Sequence, residues 1–180
     1  MISKACKYGI RATIFVASKA GEGIKLNVKE IAREVDAPEA FTAKILQILN
    51  RHKVITSLKG PYGGFSVEKK QLDQPVINIV AAIDGMGIFK ECGLGLKDCS
   101  DAHPCPMHHK YKIAREAVRT AFEHTTVGHL AENLNNGSYF LNSLGYLNVG
   151  EHSTSRAMPA RCRRTAEPVP AKEPGQAGHD

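Results

Sequence analysis

Cys92, Cys99 and Cys105 fall within fourteen residues, in the run Glu91-CGLGLKDCSDAHPCPMHH-Lys110, and His108 follows the last of them by three positions. Thiolates packed this closely, with glycines between them, can wrap one soft metal centre. Three thiolates are one short of a tetrahedral set, so a site needs a fourth ligand, and His103, His108 and His109 are at hand. Zinc and an iron–sulfur cluster both accept sulfur donors together with imidazole. The competing possibility is three unrelated buried or paired cysteines. Clustered cysteines in intracellular chains more often bind metal than form disulfides, which favours the metal. The other two of the five cysteines, Cys6 and Cys162, lie far away in sequence.

Such a loop must be held by ordered elements, and the residues before it supply a pattern. Ser3 can cap a first helix over roughly 4–19, with Tyr8, Ala12 and Phe15 on one stripe, ended by Gly21-Glu22-Gly23. Asn27 and Glu30 form a capping box for a second helix whose inner face is Val28, Ile31, Ala32 and Val35. After the break Asp36-Ala37, Pro38 at a first-turn position opens a third helix to about Arg51, burying Phe41, Ile45, Ile48 and Leu49. A hairpin follows: Val54-ITSLK, a Gly60-PYGG tip, then Phe65-SV.

Two short helices and a hairpin make a winged helix-turn-helix pattern. The fold expected is mainly α with a small β wing. Ala40, Ala43, Lys44, Gln47, Asn50 and Arg51 face outward from the third helix, a surface small at its start and polar or basic beyond, suited to a major groove. The candidate DNA contacts are the lysine of the pair Val28-Lys29, Pro38, Thr42, Ala43, Lys44, Gln47 and Arg51, with Lys59 and Gly60 at the wing tip.

Beyond the wing, Pro75 starts a helix through Asp84 carrying Val76, Ile79, Val80 and Ile83, and Gly85-Met-Gly87 leads into the cysteine loop, 91–109. A long helix then runs from about 107 to 124, with Ala114, Ala117, Val118, Ala121 and Phe122 on one side. Such a stripe is usually core, but it finds no obvious partner later in the chain, so self-association is the second reading. A short helix over about 127–134 closes an ordered region of 1–135. From 141 to 180 the sequence is rich in Pro, Gly, Ser and charge without periodicity, and reads as a disordered tail that contains Cys162.

Charge follows the same division. Of the +6 formal charge, residues 1–70 hold 13 Lys+Arg against 6 Asp+Glu, residues 71–140 hold 6 against 8, and 141–180 hold 5 against 4. A basic N-terminal part beside a slightly acidic middle suits a polyanion-binding module joined to something else. At 180 residues and 42% hydrophobic the chain bounds one domain with an extension. No apolar run approaches a membrane span, the charged start Met1-ISKACKYGIRA is unlike a signal peptide, and a cytoplasmic protein with reduced thiols is expected. No phosphate loop, nucleophile elbow or HExxH motif occurs, so an enzyme is not expected.

In order and motif the chain resembles the Rrf-two family of bacterial winged-helix transcription regulators, of the iron–sulfur-sensing IscR/NsrR type. The residues that carry the resemblance are Lys59-GPYGGF, the AAIDG helix end and Cys92…Cys99…Cys105, over about 1–135. The resemblance implies a homodimer on a palindromic double-stranded DNA operator, regulating as a repressor, with the long helix as dimerisation contact. It also implies an iron–sulfur cluster, [2Fe–2S] or [4Fe–4S], on the three cysteines, with zinc as the alternative metal. His108 matches the nitrogen-ligand position of IscR-like members, and His109 and then His103 rank behind it. Where NsrR-like members place an aspartate ligand, this chain has Tyr8, and Cys6 lies two residues before it, within reach of a partner subunit's cluster. The first cysteine gap, six residues, is one longer than in the best-known members. Ala43 stands where IscR-like members read bases with glutamate, so a different operator is expected. Lys59 matches a basic residue that the family places in the minor groove. Two other outcomes stay open: a zinc-stabilised constitutive binder, and a cluster-free module controlled by a partner protein.

Overall fold

Ser3 begins the fold at both of its hydrogen-bonding ends. Its Oγ accepts the Cys6 N–H at 3.0 Å, capping α1 (Lys4–Ser18), while its own N–H and hydroxyl donate to the Asp84 carboxylate at 2.7 and 2.5 Å. The first helix is thereby pinned to the segment that leads into the cysteine loop. In this computed structural model the described residues are 2–137 and 139–141, all in the first of two units, Met1–Asn148 and Val149–Asp180. The tail expected over 141–180 lies outside the described residues except for Leu141.

The helix-turn-helix follows the sequence closely. α2 (Val28–Glu34) starts on the expected capping box, with the Asn27 N–H donating to Glu30 at 2.8 Å and the Glu30 N–H to Asn27 at 2.9 Å. Such a cap contributes about 1 kcal/mol. Asp36 takes a left-handed φ of 52°, which turns the chain into α3 (Glu39–Arg51). Pro38 is the N-cap rather than a first-turn residue.

The inner face of α3 differs from expectation. Thr42, Ile45, Leu46 and Leu49 are buried, spaced as one helical stripe, whereas Phe41 is 37% exposed and meets Tyr8 edge-on at 5.8 Å. Thr42 is therefore not a DNA contact. Its hydroxyl donates to the Pro38 carbonyl one turn back at 3.1 Å, so the polar atom is satisfied inside the helix and its burial costs little.

α1 packs on α2, α3, α5 (Ile77–Ile83) and α7 (Val127–Asn135). Gly9 permits this: a Cβ there would clash with Ile83 Cδ1 and touch Ile45. The central core gathers Val16, Ile31, Val35, Leu46, Leu49 and Ile79. Asn135 Nδ2 caps the far end of α1 by donating to the Ser18 carbonyl at 3.1 Å.

The wing pairs β1 (Thr56–Leu58) antiparallel with β2 (Gly64–Ser66), in the register Thr56↔Ser66, Ser57↔Phe65 and Leu58↔Gly64. Leu26 extends it by exchanging two backbone bonds with Phe65, at 2.9 and 2.8 Å. Behind it lies α4 (Lys69–Leu72), which sequence reasoning missed because KKQL has no apolar period. Its buried Gln71 donates to the Lys53 carbonyl at 3.0 Å and accepts the Glu68 N–H, tying the base of the wing to the end of α3.

After α5, Gly85 at φ 73° turns the chain into a 3-10 turn, Gly87–Phe89, also not anticipated. Phe89 seals a second small core with Cys6, Ile77 and Val80. α6 (His108–His124) then follows the cysteine loop with no buried residue at all. Ile113 is 73% exposed and Val118 47%, and Ala114, Ala117 and Ala121 are exposed, with only Phe122 half-covered, edge-on to Phe89 at 6.3 Å.

Candidate metal centre and nucleic-acid interface

The loop from Glu91 to Met107 is gripped by α6 in three places. Arg115 donates to the Lys90 and Glu91 carbonyls at 3.2 and 2.8 Å. The Tyr111 ring lies so close to Gly93 that a Cβ there would meet it at 2.8 Å. Lys112 donates to both oxygens of Asp101 at 2.8 Å. The loop is long and polar, so these side-chain contacts take the place of a core of its own.

Within the loop, Cys92, Cys99 and Cys105 place their sulfur atoms within 4.8 Å of one another. None of the four described cysteines is in a disulfide. Cys92 and Cys105 are 3.6 Å apart at Sγ, and Cys99 Sγ lies 3.1 Å from His108 Nδ1. His108 falls outside the set in which every donor is near every other, because Cys99 is the one sulfur of the three within hydrogen-bond reach of its ring. The three sulfurs therefore form one cluster, which His108 joins through Cys99. His109 stacks edge-on against His108 at 5.2 Å, and His103 lines the same hollow as Cys99 and Cys105 without touching a sulfur.

The electrostatics differ from thiol to thiol. The Leu94 and Leu96 N–H groups aimed at Cys92 bring its pKa down to about 7, with smaller help from the neighbouring thiols. At Cys99 the Cys105 N–H pulls the other way from burial and the two nearby sulfurs, and these together leave its thiol above the ordinary value. Asp101 is held down at about 2, first by Lys112 and then by His108. Cys6 belongs to a different environment: it is fully buried, and burial followed by the Asp84 charge pushes its thiol up to about 12. In this chain it is a core residue, closed off from solvent by Phe89 and Val80.

Lys44, Gln47, Asn50 and Arg51 project from α3 and are exposed, Ala43 is half-buried, and Lys29 and Pro38 are exposed as well. Val28 instead packs against the core. Lys59 and Gly60 stand at the wing tip, where Gly60 takes φ 110°. Tyr62, 90% exposed at the same tip, was not singled out in the sequence, although an aromatic ring in a glycine-rich turn is a signal. Asp101, Lys112 and Arg115 were missed as well. Lys112, one turn after His108, and the acid two residues after Cys99 were the visible clues.

A family described as Rrf2, iron-dependent transcriptional regulator, matches residues 2–133. A putative HTH-type transcriptional regulator of Aquifex aeolicus is 29% identical over 129 residues, covering 71% of this chain and 88% of that one. The structure of CymR, the global cysteine regulator of B. subtilis, superposes with a TM-score of 0.61 at 24% identity, over 73% of this chain and 96% of the other. IscR of T. potens gives 0.60 at 16% identity, over 80% and 95%. At these identities the two structures establish the fold, a mostly helical winged-helix domain.

Proposed function

The chain belongs to the Rrf2 family of transcriptional regulators, and from that premise we propose that it is a homodimer whose operator binding is set by an iron–sulfur cluster on Cys92, Cys99, Cys105 and His108. It is a DNA-binding regulator and not an enzyme, as the family implies. The observation that carries the finer reading is the gathering of three sulfurs within 4.8 Å of one another, with His108 Nδ1 3.1 Å from Cys99 Sγ. Two terminal ligands for each of two irons is what a [2Fe–2S] core takes, and imidazole can replace thiolate on one iron. A [4Fe–4S] core takes one ligand at each of four irons, and the same four donors would supply them.

When bound, such a centre supplies one-electron redox chemistry and sensitivity to oxidants, nitric oxide or iron shortage. The chain's own residues supply the coupling. Ligands at both ends of the loop constrain a segment that Arg115, Tyr111 and Lys112 fasten to α6. The exposed apolar face of α6, with Ile113 and Val118 uncovered, supports its role as the dimer contact. A shift of the loop then re-aims α6, and with it two recognition helices whose spacing must match half-sites about 34 Å apart.

A second reading keeps the donors and changes the metal. One zinc ion in a tetrahedral set of three thiolates and an imidazole would stabilise the loop without a redox response. Purification without oxygen, with iron and acid-labile sulfide assayed, separates the two: cluster protein is brown, zinc protein colourless. Cys92→Ala, Cys99→Ala and Cys105→Ala should each abolish cluster retention, and His108→Ala should alter its spectrum more than His103→Ala. Full iron and sulfide in all three cysteine variants would sink the assignment.

A further inference from the structure

Asp101 stands between two side chains of α6. Its Oδ1 lies 2.9 Å from His108 Nε2 and accepts from Lys112 Nζ at 2.8 Å, and its Oδ2 accepts from the same ammonium at 2.8 Å. His108 and Lys112 are four residues apart on the helix, so both present to the same side. The second ring nitrogen of His108, Nδ1, faces Cys99 Sγ at 3.1 Å. The histidine side chain is 10% exposed, the Asp101 side chain 69%.

We infer that Asp101, steadied by Lys112, is the positioning residue that fixes His108 as a nitrogen ligand through Nδ1. The inference rests on the metal-centre reading above. A neutral imidazole has one N–H, and a metal takes the lone pair of the nitrogen that lacks it. The carboxylate can only accept, so Nε2 carries the hydrogen and Nδ1 keeps its lone pair toward the sulfur cluster. A carboxylate behind a metal-bound imidazole sets tautomer and ring orientation together. Lys112 is what keeps an exposed aspartate in that place, since its two bonds stop the carboxylate turning out to solvent. Among the described residues, neither His103 nor His109 has a carboxylate at its ring. This asymmetry selects His108 from three candidate histidines. A mere surface ion pair between Asp101 and Lys112 would add little to anything, and the two cases separate experimentally.

The probe is Co(II), titrated into the metal-free full-length protein under argon. Thiolate-to-cobalt charge transfer reports sulfur ligation, and the visible ligand-field bands report the fourth donor. Asp101→Ala should weaken cobalt binding by about 10–100-fold and shift the ligand-field bands, while leaving charge transfer in place. Asp101→Glu should restore most of the affinity, and Lys112→Met should fall between. In a His108→Ala background, Asp101→Ala should cost nothing more, because its effect passes through the imidazole. Wild-type affinity and bands in Asp101→Ala would overturn the inference, as would an equal further loss in the His108→Ala background. Charge transfer intact with His108→Ala indistinguishable from wild type would overturn it while leaving a thiolate site standing. Absence of charge transfer in the wild-type protein would overturn the metal centre and this inference together.

Discussion

Asn50 Oδ1 accepts the Ser57 N–H at 3.0 Å, joining the outward face of α3 to the first strand of the wing. A side chain positioned on the helix as if to meet a base is instead spent on the angle between helix and wing. In the proposed mode of binding, with the helix in the major groove and the wing at the adjacent minor groove, that angle would decide whether both engage one duplex. Asn50→Ala should lower stability by no more than about 0.5–1.5 kcal/mol yet weaken operator binding beyond what loss of one exposed polar group explains. Thermal melting beside DNA titration checks it; parallel small losses would mean the bond does not set the angle.

Gln47, Lys44 and Arg51 remain free to reach DNA from α3. Gln47→Ala should cost about 1–3 kcal/mol on the preferred operator if the side chain reads a base edge, and far less on a shuffled duplex. Equal loss on both would place it at a phosphate. Affinity should also fall with salt at a log–log slope of about −0.9 per phosphate neutralised. Lys59→Ala should weaken binding and lessen any A·T preference beneath the wing. A wild-type protein that bound neither the upstream region of its own gene nor unrelated DNA at low salt would contradict the family's activity.

The buried Cys6 thiol gives a pH dependence with a definite sign. Its folded pKa is raised to about 12, whereas an unfolded cysteine titrates near 8.5. The protonated folded form therefore contributes stability fully below the unfolded value, and that contribution is lost as pH rises through the folded one. Stability should decline between about pH 8.5 and pH 12 with a slope that Cys6→Ala reduces, measured by urea titration. Iodoacetamide at neutral pH should leave Cys6 unmodified until the protein unfolds.

Gly9→Ala should destabilise the fold by about 1–3 kcal/mol through overpacking, because the added methyl collides with Ile83 at the crossing of α1 and α5. A denaturation midpoint at or above wild type would show that α5 yields. The effect should reach the metal site too, since α5 ends at the Asp84 carboxylate that Ser3 holds.

Ile113→Glu should leave the monomer folded, as that side chain is 73% exposed, and should abolish self-association in sedimentation. A dimer that persisted would remove α6 as its contact. Truncation at Gly145 should retain iron and folding; failure on either count would give the segment with Cys162 a structural role.

Local signals and long-range ones parted company along this chain. Capping by Ser3 and by Asn27 with Glu30 was legible because each is a bond between residues three apart. The wing was legible because a glycine-rich tip between β-branched strands has few other uses, and the cysteine run marked a candidate soft-metal site by residue type alone. What sequence could not decide was which neighbouring residue turns inward. Hydrophobicity favoured Phe41, but the packing of α3 buries Thr42, whose hydroxyl finds its partner one turn back. Nor could spacing choose among His103, His108 and His109. The proposed choice of His108 rests on the loop folded against α6, where Asp101, held by Lys112, meets the His108 ring. Candidate ligand types are written in the chain, whereas the gathering of three sulfurs and the orientation of an imidazole come from contacts between segments that sequence distance hides.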